Sequence, residues 1–258
     1  MKVTGHHPGS PCWVQLGTTD VDSAKQFYGR LFGWSAETDP RPEVGGYTMF
    51  SLDGSPSAAV APLMDPRQPV RWILSFATDD VDATTQAAQK GGAQVWMEPM
   101  DVLDIGRWSL LSDPTGAAFS LWEAKGFSGF GVLDEPNAFG WIDLATRDVE
   151  GALKFYSDVF GWEVTPDDMY PMVGLSGRMF GGVMDMGEMF PPEMPAHWNP
   201  YFVVTDVDAT AAKARELGGQ VVYGPEDTNM ENGPRIAVLA DPQGGTFGVF
   251  KPPAAAAS

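Results

Sequence analysis

The chain has 258 residues, with 34 acidic and 16 basic side chains and a formal net charge of −18. Affinity for nucleic acid comes mainly from Lys and Arg that neutralise phosphates, so this charge argues against a nucleic-acid partner and, equally, against an anionic membrane surface. No apolar run has the length of a membrane span, and no N-terminal stretch resembles a signal peptide. The single cysteine, Cys12, excludes an intrachain disulfide and favours a reducing, cytoplasmic location.

The first predicted elements are a strand and a capped helix. Residues 13–18 alternate and contain β-formers, which indicates a strand. Asp20 then caps a helix over 21–32, because its side chain can accept the free N–H groups of the first turn. That helix places its apolar residues on one face at 3.6 spacing, and these are Ala24, Phe27, Tyr28, Leu31 and Phe32. Two further strands, near 46–53 and 57–63, complete this unit.

The same plan continues along the chain. A strand over 72–78 precedes Asp80, which caps a helix over 82–90, and the second half has helices near 149–160 and 208–217. The remaining strands of the first half are predicted near 93–98, 107–112 and 117–123. Residues 126–137 form a Gly-rich linker. The chain therefore divides into one domain over 11–125 and another over 138–252.

Two sequence markers repeat at one offset. Phe27-Tyr28, followed by Leu31-Phe32-Gly33-Trp34, returns as Phe155-Tyr156, followed by Val159-Phe160-Gly161-Trp162, an offset of 128 residues (155 − 27). Asp113-Pro114-Thr115-Gly116 returns as Asp241-Pro242-Gln243-Gly244 at the same offset. A weaker repeat inside each half brings back the capping Asp about 60 residues later. The chain is thus predicted to contain four small units arranged two by two.

The order strand–helix–strand–strand–strand, four times over and with these markers, resembles the vicinal-oxygen-chelate superfamily of glyoxalases, bleomycin resistance proteins and extradiol dioxygenases. The resemblance covers residues 11–251. It implies an α+β fold of tandem glyoxalase-like domains. The four βαβββ modules would form curled mixed or antiparallel sheets, each shaped as a cup, with helices on the convex side. In this superfamily, modules pair either within a half or between halves. The sequence therefore leaves open whether the molecule has one cup or two.

The superfamily's metal ligands are His, Glu or Gln on strands that face the cup. Carried over to this sequence, the ligand positions hold Trp13 and Ser120 in the first half, and Trp141 and Gly248 in the second. Indole and hydrogen side chains offer no ligand to a divalent metal. The sequence therefore predicts neither a metal site of the family type nor another cofactor.

Aromatic and polar side chains are expected to line the cup instead. Strand alternation puts Trp13 and Gln15 on one face, and Trp141 and Asp143 repeat them. The residues expected to bind a ligand there are Trp13, Gln15, Ser120, Trp122, Trp141, Asn199 and Tyr201. Such a lining suits a small apolar or aromatic metabolite. Arg235 is a candidate anchor for an anion or carbonyl, with a structural cap on its loop as the alternative.

Asp143 is the candidate catalytic residue. A carboxylate beside Trp141 in an apolar cup would have a raised pKa and could act as a general base, whereas Gln15 at the repeat position cannot. The alternative is a structural Asp bonded to backbone groups.

Three functions follow for the cup. One is a metal-independent lyase or isomerase, a second is a non-catalytic protein that sequesters its ligand, and the third is a metal-dependent glyoxalase or dioxygenase. The residues at the ligand positions disfavour the third. The chain is expected to be either a monomer, whose two halves form a pseudo-dimer, or a weak homo-oligomer.

Overall fold

The computed structural model describes residues 1–188, 190–228 and 233–253. In this part of the chain there are sixteen strands and four α-helices. The first half contains β1 (Pro11–Thr18), α1 (Val21–Phe32), β2 (Ser35–Thr38), β3 (Thr48–Leu52), β4 (Ser55–Pro62), β5 (Arg71–Ala77), α2 (Val81–Lys90), β6 (Gln94–Val102), β7 (Gly106–Ser112) and β8 (Ala118–Ala124). The second half contains β9 (Phe139–Thr146), α3 (Val149–Phe160), β10 (Glu163–Thr165), β11 (Met172–Leu175), β12 (Arg178–Asp185), β13 (His197–Val203), α4 (Val207–Glu216), β14 (Gln220–Asp227), β15 (Arg235–Ala240) and β16 (Thr246–Lys251).

Each half forms one mixed eight-stranded sheet. The strand order is β2-β3-β4-β1-β5-β8-β7-β6 in the first half and β10-β11-β12-β9-β13-β16-β15-β14 in the second. β1 and β5 pair antiparallel at the centre of the first sheet, as β9 and β13 do in the second, and β4 and β8 join β1 and β5 as parallel neighbours. The two modules of a half therefore pair with each other. The molecule has two concave faces, called here the first and the second cup.

The helix limits follow from the predicted caps. The Asp20 side chain accepts a hydrogen bond from the backbone N–H of Ser23, and α1 ends at Gly33, whose φ of 75° is left-handed. The predicted helices over 21–32 and 149–160 are confirmed at both ends. β2 and β10 were not predicted as separate strands, because these short edge segments are exposed throughout and carry no apolar alternation.

The predicted apolar helix faces are buried, but each also contacts the opposite half. Phe27 of α1 lies 6.2 Å, between ring centroids, from Phe247 of β16. Phe155 of α3 lies at the same distance from Phe119 of β8. The helices and convex sides of the two sheets thus share one core, and the cups lie on the opposite sides of the sheets. No helix of the described residues is long and apolar enough to cross a membrane.

Candidate active site in the second half

Asp143 lies at the centre of the second cup. Its neighbours on β9, Ile142 and Leu144, are fully buried in the core on the convex side, so strand alternation turns Asp143 towards the concave side. The sheet register sets Asp143 between Gly182 of β12 and Asn199 of β13. The carboxylate is therefore placed by three adjacent strands in the middle of the sheet, β12, β9 and β13.

Three aromatic side chains surround this carboxylate. The Tyr170 hydroxyl donates a hydrogen bond to Asp143 Oδ1. The Trp141 indole Nε1 lies 3.1 Å from the same oxygen and 2.8 Å from the Tyr170 hydroxyl. The Tyr201 hydroxyl also interacts with the carboxyl group. Among the described residues, the hydrogen bonds to Asp143 come from side chains.

The environment makes Asp143 a stronger base than an ordinary aspartate. Burial raises the pKa of Asp143 to about 6, although hydrogen bonds from Tyr170, Tyr201 and Trp141 act in the opposite direction. Burial, followed by the nearby Asp143 charge, raises the pKa of the Tyr170 and Tyr201 hydroxyls well above the usual tyrosine value. At neutral pH the site therefore combines an ionised carboxylate with protonated hydroxyl donors.

Two glycines make room for the tyrosine rings. A Cβ at Gly248 would lie 2.0 Å from Cδ1 of Tyr201, and a Cβ at Gly182 would lie 2.1 Å from Cζ of Tyr170. Both contacts are far below any tolerated carbon–carbon distance. The aromatic rings of the site consequently occupy the space that larger side chains on β16 and β12 would fill.

The first cup has a related arrangement without the carboxylate. Trp13 Nε1 donates to the Tyr47 hydroxyl at 3.0 Å, as Trp141 does to Tyr170, but Gln15 occupies the position of Asp143. Phe127 packs edge-on against Trp13 with ring centroids 4.9 Å apart. The Trp122 indole donates to the Phe127 carbonyl at 2.8 Å. The chain leaving β8 thus folds back over the middle of the first cup.

The predicted site residues are divided between the two cups. Trp141, Asp143 and Tyr201 come together in the second cup. Four other predicted ligand-binding residues lie in the first cup, and these are Trp13, Gln15, Ser120 and Trp122. There the Ser120 hydroxyl is within 2.7 Å of the Ser75 hydroxyl, a buried pair that links β8 to β5. Asp143 therefore has no direct partner in the first half.

Two predicted ligand-binding residues, Asn199 and Arg235, make contacts within the fold. The Asn199 side chain satisfies both ends of its amide when its nitrogen donates to the Thr246 carbonyl at 3.3 Å and its oxygen accepts from the Gly248 N–H at 3.2 Å. Arg235 forms salt bridges with Asp208 at 2.6 Å and Asp227 at 3.3 Å. Asn199 ties β13 to β16, and Arg235 ties β15 to the start of α4. Both groups are used within the fold, and their part in ligand binding stays a prediction.

Tyr170 is the site residue that the sequence did not reveal. Its counterpart is Tyr47, but the two are 123 residues apart (170 − 47), whereas the repeat markers are 128 apart. The segment between Trp162 and Tyr170 is five residues shorter than that between Trp34 and Tyr47. A search at one fixed offset misses the pair, and aligning the two Trp-to-strand segments with a gap would have found it.

The residues of the cups do not fit a divalent metal. At the carried-over ligand positions, Trp13 and Trp141 present indoles, Ser120 is paired with Ser75, and the Tyr201 ring covers Gly248. In the described ranges, no three or more His, Cys, Asp or Glu residues are grouped as a metal would require. A lone carboxylate, Asp143, is too few ligands for a tight divalent site.

Comparisons with known proteins agree with this architecture. Residues 11–121 match the model of the glyoxalase/bleomycin resistance protein/dioxygenase superfamily, and residues 141–250 match that of a glyoxalase-like domain. The putative glyoxylase CFP32 of Mycobacterium tuberculosis is 41% identical over 97% of this chain and 98% of its own. The anthracycline biosynthesis protein DnrV of Streptomyces peucetius is 37% identical over 96% of this chain and 95% of its own.

Solved structures share the fold at low sequence identity. The Mn(II)-bound glyoxalase from Novosphingobium aromaticivorans superposes with a TM-score of 0.68 at 17% identity, covering 96% of this chain and 83% of its own. The 2,3-dioxygenase LapB from Pseudomonas sp. KL28 gives 0.68 at 14% identity, covering 95% and 92%. The chain belongs to the glyoxalase/bleomycin resistance protein/dioxygenase superfamily, that of the vicinal-oxygen-chelate proteins.

Proposed function

We propose that the second cup is the active site of a metal-independent lyase or isomerase that acts on a small apolar or aromatic metabolite. One observation carries this proposal. The half-buried Asp143 carboxylate, whose pKa burial raises to about 6, lies among the polar ends of Trp141, Tyr170 and Tyr201. A general base works best when its pKa lies near the working pH, and this group is closer to neutrality than an ordinary aspartate.

The chemistry that suits these groups is proton transfer next to a carbonyl. Asp143 takes a proton from carbon, the C–H electron pair forms the enolate, and the Tyr201 hydroxyl donates a hydrogen bond to the enolate oxygen. In an isomerase the proton returns to a different carbon. In a lyase the enolate electrons expel a leaving group from the next carbon, and the protonated Asp143 returns its proton to that departing group. Both routes leave the enzyme unchanged, and neither has a step through a metal.

The ligand class follows from the walls of the cup. Trp141, Tyr170 and Tyr201 offer aromatic surface for packing against a ring. The role of DnrV and of the similar DauV in anthracycline biosynthesis, given by their names, supports an aromatic ligand for this chain as well. The net charge of −18 favours a neutral or cationic molecule over a polyanion.

Deuterium exchange tests the proposed proton transfer. The protein is incubated in D₂O with 2-tetralone, an aromatic ketone with acidic α-protons, and loss of those proton signals is followed by NMR. We expect the wild-type protein to accelerate exchange, Asp143→Asn to abolish the acceleration, and Gln15→Asn, the matched change in the first cup, to leave it intact. Equal acceleration by wild type and Asp143→Asn would refute the role of Asp143.

A second function, ligand sequestration without chemistry, is favoured by one contact pattern. Asp143 Oδ1 already accepts hydrogen bonds from Trp141 and Tyr170, which also fixes two aromatic side chains as a binding surface. Sequestration predicts that 2-tetralone or a related ring compound binds in calorimetry without accelerated exchange. It also predicts that Asp143→Asn weakens binding, whereas under the catalytic proposal binding persists.

A further inference from the structure

Arg71 in the first cup forms no salt bridge within the part of the chain that the structure describes. Arg71 opens β5 and pairs with Gly17 of β1, which places it on the concave side in the same row as Ile73. No carboxylate of the described residues forms a salt bridge with its guanidinium. Arg107 and Arg235, by contrast, each contact two Asp side chains. In an acidic protein, a half-buried and unpaired arginine is therefore distinctive.

An exposed indole lies beside this arginine. The Arg71 guanidinium carbon is 5.4 Å from the ring centroid of Trp96, within the range of a cation–π contact. Trp96 belongs to β6 at the edge of the sheet, and β7 and β8 separate β6 from β5. The contact therefore crosses the concave face, because the sheet curls far enough to bring its edge strand over the start of β5. Trp96 remains 43% exposed.

Apolar side chains form the wall between these two residues. Ile73 lies two residues after Arg71 on the same side of β5. Leu110 of β7 pairs with Ser120, whose hydroxyl meets Ser75 on the concave side, so Leu110 faces the same cup. Both Ile73 and Leu110 are half-buried. A cation, an indole and an apolar wall thus meet at one end of the first cup, away from the part that Phe127 covers.

We propose that this end of the first cup binds an aromatic carboxylate, with Arg71 pairing to the carboxylate and Trp96 packing against the ring. Arginine presents a planar fork of N–H donors that matches the two oxygens of a carboxylate. Indole offers the flat surface that an aromatic ring prefers. A single negative charge suits the site, since the surrounding acidic protein repels ligands with more.

The second cup lacks these groups at the equivalent place. His197 pairs with Ala145 as Arg71 pairs with Gly17, and the His197 ring packs against Phe190 with centroids 6.0 Å apart. Asp143, the proposed base, thus lies in the second cup, and Arg71 lies in the first. The proposed carboxylate site does not depend on the proposed function of Asp143. With both sites, the molecule would bind two different ligands, one in each cup.

Calorimetry with 2-naphthoate, and with its neutral analogue 2-naphthamide, tests the site. We expect wild type to bind naphthoate roughly tenfold or more tightly than naphthamide, which corresponds to one charge-assisted interaction. Arg71→Gln should abolish that preference. Arg67→Gln, which removes an equal charge from a solvent-exposed loop residue paired with Asp65, should preserve it.

Two further variants separate the possible outcomes. Trp96→Ala should weaken naphthoate binding without removing the preference over naphthamide, and His197→Gln, the change at the equivalent position of the second cup, should leave naphthoate binding unchanged. Circular dichroism and thermal unfolding check that each variant folds, and Arg71→Lys, which keeps the charge but loses the fork, provides a milder change. Absence of naphthoate binding to wild type, or a preference that survives in Arg71→Gln, would overturn the proposal.

Discussion

The Tyr28 hydroxyl donates a hydrogen bond of 2.9 Å to Oδ2 of Asp241, which is 213 residues further along the chain. Tyr156 and Asp113 repeat this contact at 2.9 Å in the opposite sense. The two sequence markers of each half are therefore partners of the markers in the other half. Oδ1 of each Asp holds its own turn, and Oδ2 receives the tyrosine from across the interface.

Removing one of these hydroxyls should weaken the join between the halves. Tyr28→Phe leaves the buried Asp241 without its hydroxyl partner, so we expect a loss of about 1–3 kcal/mol in the free energy of unfolding. Urea unfolding measures it. Tyr223→Phe is the control, because Tyr223 is exposed and its hydroxyl donates to a near neighbour, Glu226, on the same strand. Equal stabilities of Tyr28→Phe and Tyr223→Phe would contradict the assigned role.

The aromatic face of α1 should contribute more than the hydroxyl. Phe27 is 2% exposed and packs against Phe247 of the other half. Phe27→Ala is expected to lower the free energy of unfolding by roughly 3–5 kcal/mol, the usual cost of deleting a buried aromatic side chain. The exposed neighbour Gln26→Ala serves as the control and should change stability little. A loss under about 1 kcal/mol for Phe27→Ala would count against the packing described.

The raised pKa of Asp143 should appear in the pH dependence of stability. Its folded pKa of about 6 lies above the unfolded value of about 3.9, so folding favours the protonated form. The contribution of Asp143 to the free energy of unfolding is fully present below pH about 4 and is lost as the pH rises through about 6. Because the carboxyl is only half-buried, we expect a loss of about 1–3 kcal/mol across this window in wild type.

Asp143→Asn removes the titrating group and isolates its effect. The difference in unfolding free energy between wild type and this variant, measured in urea at pH 4, 5, 6 and 7, should change in favour of the variant as pH rises. A pH-independent difference would show that Asp143 titrates near its ordinary value and would also weaken its case as a base.

The space under Tyr201 should tolerate no side chain at position 248. The Cβ of Gly248→Ala would meet Tyr201 near the base of its buried ring, which cannot move away as a flexible tip could. We expect lower thermal stability and loss of the proposed exchange activity. Gly5→Ala is the matched control, since its Cβ would have no heavy atom within 4 Å. A Gly248→Ala protein with wild-type activity would show that the Tyr201 position is unimportant.

The side chains at the family's ligand positions predict that the cups hold no stoichiometric transition metal. Elemental analysis of protein purified without chelator measures this directly. One equivalent of Zn, Ni, Fe or Mn per half, retained after gel filtration, would contradict the prediction and reopen the metal-dependent alternatives.

The repeats were enough to predict the architecture, because caps such as Asp20 and apolar faces such as that of Phe27 are local features. The division of the site between two cups was not predictable. Trp13 and Trp141 look equivalent in sequence, and only the pairing of modules within a half shows that they never meet. The engagement of Asn199 with β16 depended on a register that no local pattern encodes.

The convex and concave sides of the sheets differ in how freely their residues can be substituted. A substitution on a convex side changes a contact that both halves need, so the buried Phe, Tyr and Asp residues must change together or not at all. A substitution on a concave side changes no such contact. The residues that face the two cups can therefore differ, as Gln15 and Asp143 do, while the two halves stay joined through their shared core.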